Sequence, residues 1–204
     1  MGELISYEER RIIPKGAKPS SPKNLEKYLF KETIKNLKIL NKVPKQEINK
    51  IPHVLYPGCG ADILNPLLYL KIIFPKNKQF KLTFVDIHNK QGLIETILDD
   101  VNIPFNKNHN KLTFYYEDIK IDFQFINNDI FNIIEKSSNF DIYFEKAFRI
   151  MKDTDLNYEN KVIKKLNKKG ILISDSGYKN KNLKKIKISK RISAYNEMIM
   201  ATKS

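Results

Sequence analysis

The chain has 204 residues, 41% of them hydrophobic, which is enough to enclose the core of one ordinary domain. Its strongest apolar stretch, from Leu64 to Phe74, is interrupted by Asn65, Pro66 and Lys71, so no membrane span is expected. The formal net charge of +14 invites a nucleic-acid partner, yet 33 of the 37 basic residues are Lys and only four are Arg, the residue that phosphate and guanine contacts favour; nucleic acid is possible and not favoured.

Cys59 is the sole cysteine, so no internal disulfide can form. Glu3, Glu8 and Glu9 ahead of Arg10 and Arg11 lack the basic-then-apolar layout of a signal peptide, and a cytoplasmic setting is expected. Residues 1–21 hold Pro14, Gly16 and Pro19 without apolar periodicity and read as an N-terminal arm; one domain is expected over 22–204. From Asn24 to Leu40, apolar residues recur every three or four positions, predicting an amphipathic helix of about five turns.

Five apolar cores then alternate with helical patterns, the signature of βαβ units and a mainly parallel sheet. His53–Tyr56 is the first strand, followed by a glycine turn and a helix over about 65–74. Lys81–Ile87 is the second, followed by a helix over about 91–101. Leu112–Tyr116 and Ile119–Phe125 alternate with period two, with Glu117 and Asp118 placed to turn a hairpin. A short helix is expected over about 130–136, a strand at Phe140–Phe144, and a helix from about Glu159 to Asn167 that stops at Gly170. Gly170–Asp175 is the next strand, and Ile186–Ile188 and Ala194–Ala201 are candidates for an antiparallel edge. The expected fold is α/β, a Rossmann-like three-layer αβα sandwich on a mainly parallel seven-stranded sheet.

In such sheets ligands lie beyond the carboxyl ends of the strands. Gly58 and Gly60 follow the first strand, where residues without side chains let the backbone turn tightly and approach a ligand. Asp86 ends the second strand, where a carboxylate can accept two ribose hydroxyls; its plainer role is a helix cap. Asp129 follows the third strand region, within reach of an adenine amine or equally placed to cap the helix at Ile130. Together these positions imply an adenosine-containing ligand.

Through Val54-Leu55-Tyr56-Pro57-Gly58-Cys59-Gly60, Phe84-Val85-Asp86, Asn128-Asp129, Phe140-Asp141-Ile142 and Lys168-Lys169-Gly170-Ile171-Leu172-Ile173, the chain resembles the class I S-adenosylmethionine (SAM)-dependent methyltransferases over about 50–177. The resemblance implies SAM as cofactor, held by the glycine loop, with Asp86 on the ribose and Asp129 near the adenine. Two positions depart from the family pattern. Tyr56 stands where an acidic residue is common, and Asp62 stands at the third glycine, which makes Asp62 a candidate for the amino-acid end of the cofactor. No Asn-Pro-Pro-Tyr follows the fourth strand, so the methyl acceptor stays unknown.

Glu145 and Asp175 end the fourth and fifth strands and are expected to face one cleft as catalytic acid/base candidates, Glu145 also lying beside the cofactor; a divalent ion between them is the weaker alternative, and no metal site is assigned. A non-catalytic SAM or nucleotide-binding module is the second reading. An RNA-binding protein, which would need clustered Lys and exposed aromatics on one face, is the third.

Overall fold

Buried and open positions alternate along Lys111–Tyr116 and Ile119–Asn127, whereas His53–Pro57 and Phe140–Glu145 are buried almost throughout, as strands covered on both faces are. A computed structural model describes residues 29, 31–180, 182–193 and 195–204. The expected N-terminal arm, the part of the first helix before Lys31, and Ala194 lie outside the described residues. Among the described residues nine strands form one sheet: β1 (His53–Pro57), β2 (Gln79–Asp86), β3 (Phe105–Asn108), β4 (Lys111–Tyr116), β5 (Ile119–Asn127), β6 (Phe140–Glu145), β7 (Leu166–Ser174), β8 (Leu183–Ile186) and β9 (Ile199–Lys203). The helices are α1 (Lys31–Leu40), α2 (Leu64–Ile73), α3 (Gln91–Asp100), α4 (Ile130–Ile133), α5 (Arg149–Lys152) and α6 (Tyr158–Lys165).

Strand order is β3-β4-β5-β2-β1-β6-β7-β9-β8. The five strands from β5 to β7 are parallel, while β3, β4 and β9 each run antiparallel to a neighbour. The sheet therefore has nine strands where seven were expected. The α/β architecture and the antiparallel edge stand. Phe105–Asn108 is an unforeseen strand, because its residues are mostly polar and carry no alternation to read. The β4–β5 hairpin turns at Glu117 and Asp118, with Tyr116 opposite Ile119 and Glu117 at a φ of 54°.

A second correction concerns Gly170. The last helix ends at Lys165, and Gly170 lies inside β7 rather than stopping a helix. Opposite β6 the register jumps from Phe140–Leu166 to Ile142–Ile171, so β7 bulges here. A Cβ at Gly170 would lie 2.7 Å from the Asn167 carbonyl oxygen, which explains the glycine. The edge strands are also displaced from expectation, to Leu183–Ile186 and Ile199–Lys203.

Two cores flank the sheet. Leu40, Leu67, Leu70, Ile94 and Leu98 from α1 to α3 pack on one face against Phe84 and Phe123. Ile130, Tyr158 and Val162 from α4 and α6 pack on the other against Leu55, Tyr143 and Leu172. The chain runs from β1 outward to β2 and β5, then crosses to β6 on the other side of β1. That reversal opens a crevice at the C-terminal ends of β1 and β6. Among the described residues no helix is long and apolar enough to cross a membrane.

Candidate functional site

The turn after β1 needs left-handed backbone twice, with φ of 57° at Gly58 and 53° at Gly60, a region that costs little only for glycine. Gly58 N–H donates to the Val85 carbonyl at 2.8 Å, and Gly60 N–H donates to Asp86 Oδ2 at 2.8 Å. Asp86 Oδ1 accepts from His88 N–H at 2.9 Å. The glycine loop and the end of β2 are thus one hydrogen-bonded unit, and Asp86 is half-buried with lone pairs to spare. The two glycines differ in what surrounds them. A Cβ on Gly58 would fall 2.4 Å from the Phe148 ring, whereas one on Gly60 meets nothing within 4 Å. Gly58 is required by packing; Gly60 borders open space.

That space is a cavity of about 380 Å³ lined by Tyr56, the loop from Gly58 to Asn65, and Lys146. Tyr56 is buried, and its hydroxyl donates to Asp62 Oδ2 at 2.9 Å. Burial, with Asp62 beside it, pushes the phenol well above its ordinary range, so it remains a donor. Asp62 Oδ1 accepts from the Asn65 side-chain amide at 2.7 Å and its backbone N–H at 3.2 Å. Tyr56 and Asp62 are therefore linked, for Tyr56 holds Asp62 in place. Asn65 is 4% exposed, and its Oδ1 is buried without a hydrogen-bond partner among the described residues. An orphaned acceptor on a cavity wall is costly unless a donor arrives.

Asp129 caps α4, accepting from Phe131 N–H at 2.9 Å through Oδ1. Glu145 is 1% exposed, and every described contact of its carboxylate is internal. Oε1 accepts from Lys152 Nζ at 2.7 Å, Ser174 Oγ at 2.5 Å and Ser176 Oγ at 2.8 Å; Oε2 accepts from Tyr143 OH at 2.7 Å. Asp175 faces Ala147, whose N–H it meets with both oxygens at 3.0 Å, fixing that residue at a φ of 56°. Burial raises the Asp175 carboxyl above its ordinary range; the Ala147 N–H pulls the other way. The pair does not converge on a common opening: Glu145 anchors α5 through Lys152, and Asp175 shapes the loop that carries Lys146. The expectation that both face one cleft is corrected for Glu145, since its position at a strand end says nothing of the four donors waiting there.

Burial pushes the Cys59 thiol up, with Sγ 3.8 Å from the Val85 carbonyl, and the side chain fills space in the core. Among the described residues no group of three or more His, Cys, Asp or Glu side chains could hold a metal ion. Asn65 and Lys146 were missed from the sequence. Asn65 stands three residues after Asp62, the spacing of a first helical turn, which was a usable signal; Lys146 gave none.

No family model matches the chain, and no curated protein matches it. Among solved structures, it is similar to the N-methyltransferase NodS from Bradyrhizobium japonicum WM9, with 11% identity, 90% of this chain and 98% of that one covered, and a TM-score of 0.46. It is similar to the cyclopropane synthase MmaA2 from Mycobacterium tuberculosis, with 14% identity, 69% of this chain covered and a TM-score of 0.42; the match spans 41% of the MmaA2 chain. A third is the plantazolicin methyltransferase BpumL in complex with a pentazolic desmethylPZN analogue and SAH, with 14% identity, 74% of this chain and 51% of that one covered, and a TM-score of 0.42. All three TM-scores lie below 0.5.

Proposed function

We propose that this chain binds SAM in the crevice beyond β1 and β6 and transfers its methyl group to an acceptor. The observation that carries the reading is the bond from Gly60 N–H to Asp86 Oδ2, which locks a left-handed glycine loop to the acid at the end of the neighbouring strand. An adenosine ribose suits that unit, because Asp86 retains lone pairs for two hydroxyls beside a backbone that no side chain obstructs. The residues present also fit the amino-acid end of SAM. Asp62 and the orphaned Asn65 Oδ1 suit its ammonium, and Lys146, the one cation among the described lining residues, suits its carboxylate. Asp129 Oδ1 caps α4, and its Oδ2, without a hydrogen-bond partner among the described residues, suits the adenine amine.

When bound, SAM would supply a methyl carbon activated by its sulfonium, to which an acceptor's lone pair can bond in line as the C–S electrons leave with sulfur. The protein's part is alignment and exclusion of water, so few side chains are obligatory. A non-catalytic SAM-binding module is the second reading. It is favoured by one observation: Glu145 is saturated by internal donors and Asp175 is engaged with Ala147, leaving neither as a free base.

Calorimetry with SAM, S-adenosylhomocysteine, NAD and ATP tests the cofactor. Heat and a raised melting temperature with the first two alone are expected, by mass action on the native state. No response to either overturns the reading. Transfer of label from methyl-tritiated SAM to a cell extract then separates the enzyme from the module.

A further inference from the structure

The face of the sheet opposite α1–α3 is covered by α4 and α6 at Leu55, Val85 and Ile126, and is uncovered by any described helix over β4 and over the parts of β1, β2 and β5 that hold His53, Lys81, Thr83, Asp122 and Gln124. Parallel sheets are ordinarily sandwiched on both faces, while antiparallel ones tolerate a wet side. Here the antiparallel β3 and β4 widen the sheet beyond the reach of α4 and α6, whose core takes only Val85 from β2, the partly buried Ile126 from the end of β5, and no residue from β4. The result is an open concavity of about 650 Å³, larger than the one at the glycine loop.

The register sets its polar rows. Lys81 stands beside Asp122, which stands opposite Thr113, and Thr113 opposite Asn106; Thr83 stands beside Gln124, which stands opposite Lys111. His53 bridges the Asn139 carbonyl at 3.1 Å and Thr83 Oγ1 at 2.8 Å. The charges sort into neutralised and free. Lys50 pairs with Asp141 at 2.7 Å and Lys120 with Asp122 at 3.8 Å, while Lys81 and Lys111 have no ion-pair partner among the described residues. Tyr115 continues the row of Lys111 and Thr113 and is 61% exposed.

We infer that this face binds single-stranded nucleic acid, Lys81 and Lys111 contacting phosphates and Tyr115 offering a stacking platform. The free cations sit two strands apart and two residues out of line, about 12 Å between backbones. An extended polyanion suits that separation better than one phosphate does. An exposed aromatic at the rim, with hydroxyl and amide side chains between the lysines, matches what bases need and what an acidic peptide does not. None of these residues lines the glycine-loop cavity, so the inference stands whether or not SAM binds.

The test uses the full chain with fluorescein-labelled oligouridylate and oligodeoxythymidylate of about 12 nucleotides, read by anisotropy at about 50–200 mM KCl. Lys81→Gln with Lys111→Gln should lower the slope of log affinity against log salt by about 1.4. Tyr115→Ala should weaken binding by about 5-fold to 100-fold. Lys35→Gln with Lys38→Gln, at exposed positions of α1 on the opposite side of the sheet, removes the same charge outside this face and should leave binding nearly unchanged. A ribose or deoxyribose preference then identifies the source. The inference falls if neither oligomer binds, if the control pair weakens binding equally, or if Tyr115→Ala leaves affinity intact. It falls too if the face variants lose several degrees of melting temperature or a self-association seen by sedimentation without loss of binding, for then another part of the chain or a second copy covers the face.

Discussion

Gly58 and Gly60 share a backbone conformation, but the space around them separates their roles. A methyl on Gly58 collides with the Phe148 ring and is also strained at positive φ, so Gly58→Ala is expected to lower the melting temperature with or without ligand. Gly60→Ala meets no neighbour, so its cost to the free protein is confined to about 1 kcal/mol of left-handed strain. SAM affinity should nevertheless fall, because the methyl enters the space that the cofactor would take. Thermal melts of both variants alone, beside titrations with SAM, check the contrast; equal loss of stability in the two would return Gly60 to a purely structural turn. Asp86→Ala removes charge-assisted ribose contacts worth about 1.5–3 kcal/mol each, an affinity loss of at least tenfold. Gly60 N–H also loses its acceptor in that variant, so circular dichroism must show a folded protein before the loss is assigned to the ligand.

Asp141 shows how one side chain can bind several elements. Its carboxylate accepts from His53 N–H at the start of β1 at 3.0 Å, from the Asn167 amide in β7 at 2.6 Å, and pairs with Lys50 at 2.7 Å. Burial alone would raise its pKa, but Lys50, His53 N–H and Asn167 together hold it below the ordinary 3.8. An acid depressed in the folded state contributes stability that is fully present above 3.8 and is lost as pH falls through the lower folded value. Asp141→Asn should therefore cost about 1–3 kcal/mol at neutral pH, and the gap to the unaltered chain should close in acid. Most of that belongs to the buried hydrogen bonds, since the Lys50 side chain is 57% exposed and its ion pair is weak. Urea melts at pH 7 and near pH 3 measure the difference; a gap unchanged by pH would mean that packing, not charge, sets the cost. The sequence exposed β1, β2, β5 and β6 because burial on both faces, or on one, imposes a pattern that residue types must follow. It concealed β3, where Asn106, Lys107 and Asn108 are exposed, and the start of β7, where Lys168-Lys169-Gly170 imitates a helix end. At the site, strand-end acids were legible by position. The partners that occupy Glu145 were not, because Lys152, Ser174 and Ser176 converge on it only through tertiary folding.

At the scale of the whole molecule, the net charge of +14 opposes compaction, because the folded chain brings like charges closer than the unfolded chain does. Exposed pairs such as Lys76 with Glu47 at 2.7 Å and Lys78 with Asp118 at 2.6 Å act the other way, each contributing little because both partners are solvated. Salt weakens both effects. The Debye length falls from about 30 Å at 10 mM to below about 8 Å at 300 mM, so repulsion across the surface is screened more completely than contacts under 3 Å. The buried Lys152–Glu145 pair, at 2.7 Å and with side chains 5% and 0% exposed, is shielded from the change. Melting temperature should therefore rise with sodium chloride over that range, by about 2–4 °C for each kcal/mol of repulsion removed. Scanning calorimetry in chloride, which avoids the strongly excluded sulfate and phosphate, isolates the screening term. A falling melting temperature would mean that the local pairs outweigh the excess of positive charge, and the surface lysines would then have to be arranged around their acids far more favourably than their numbers suggest.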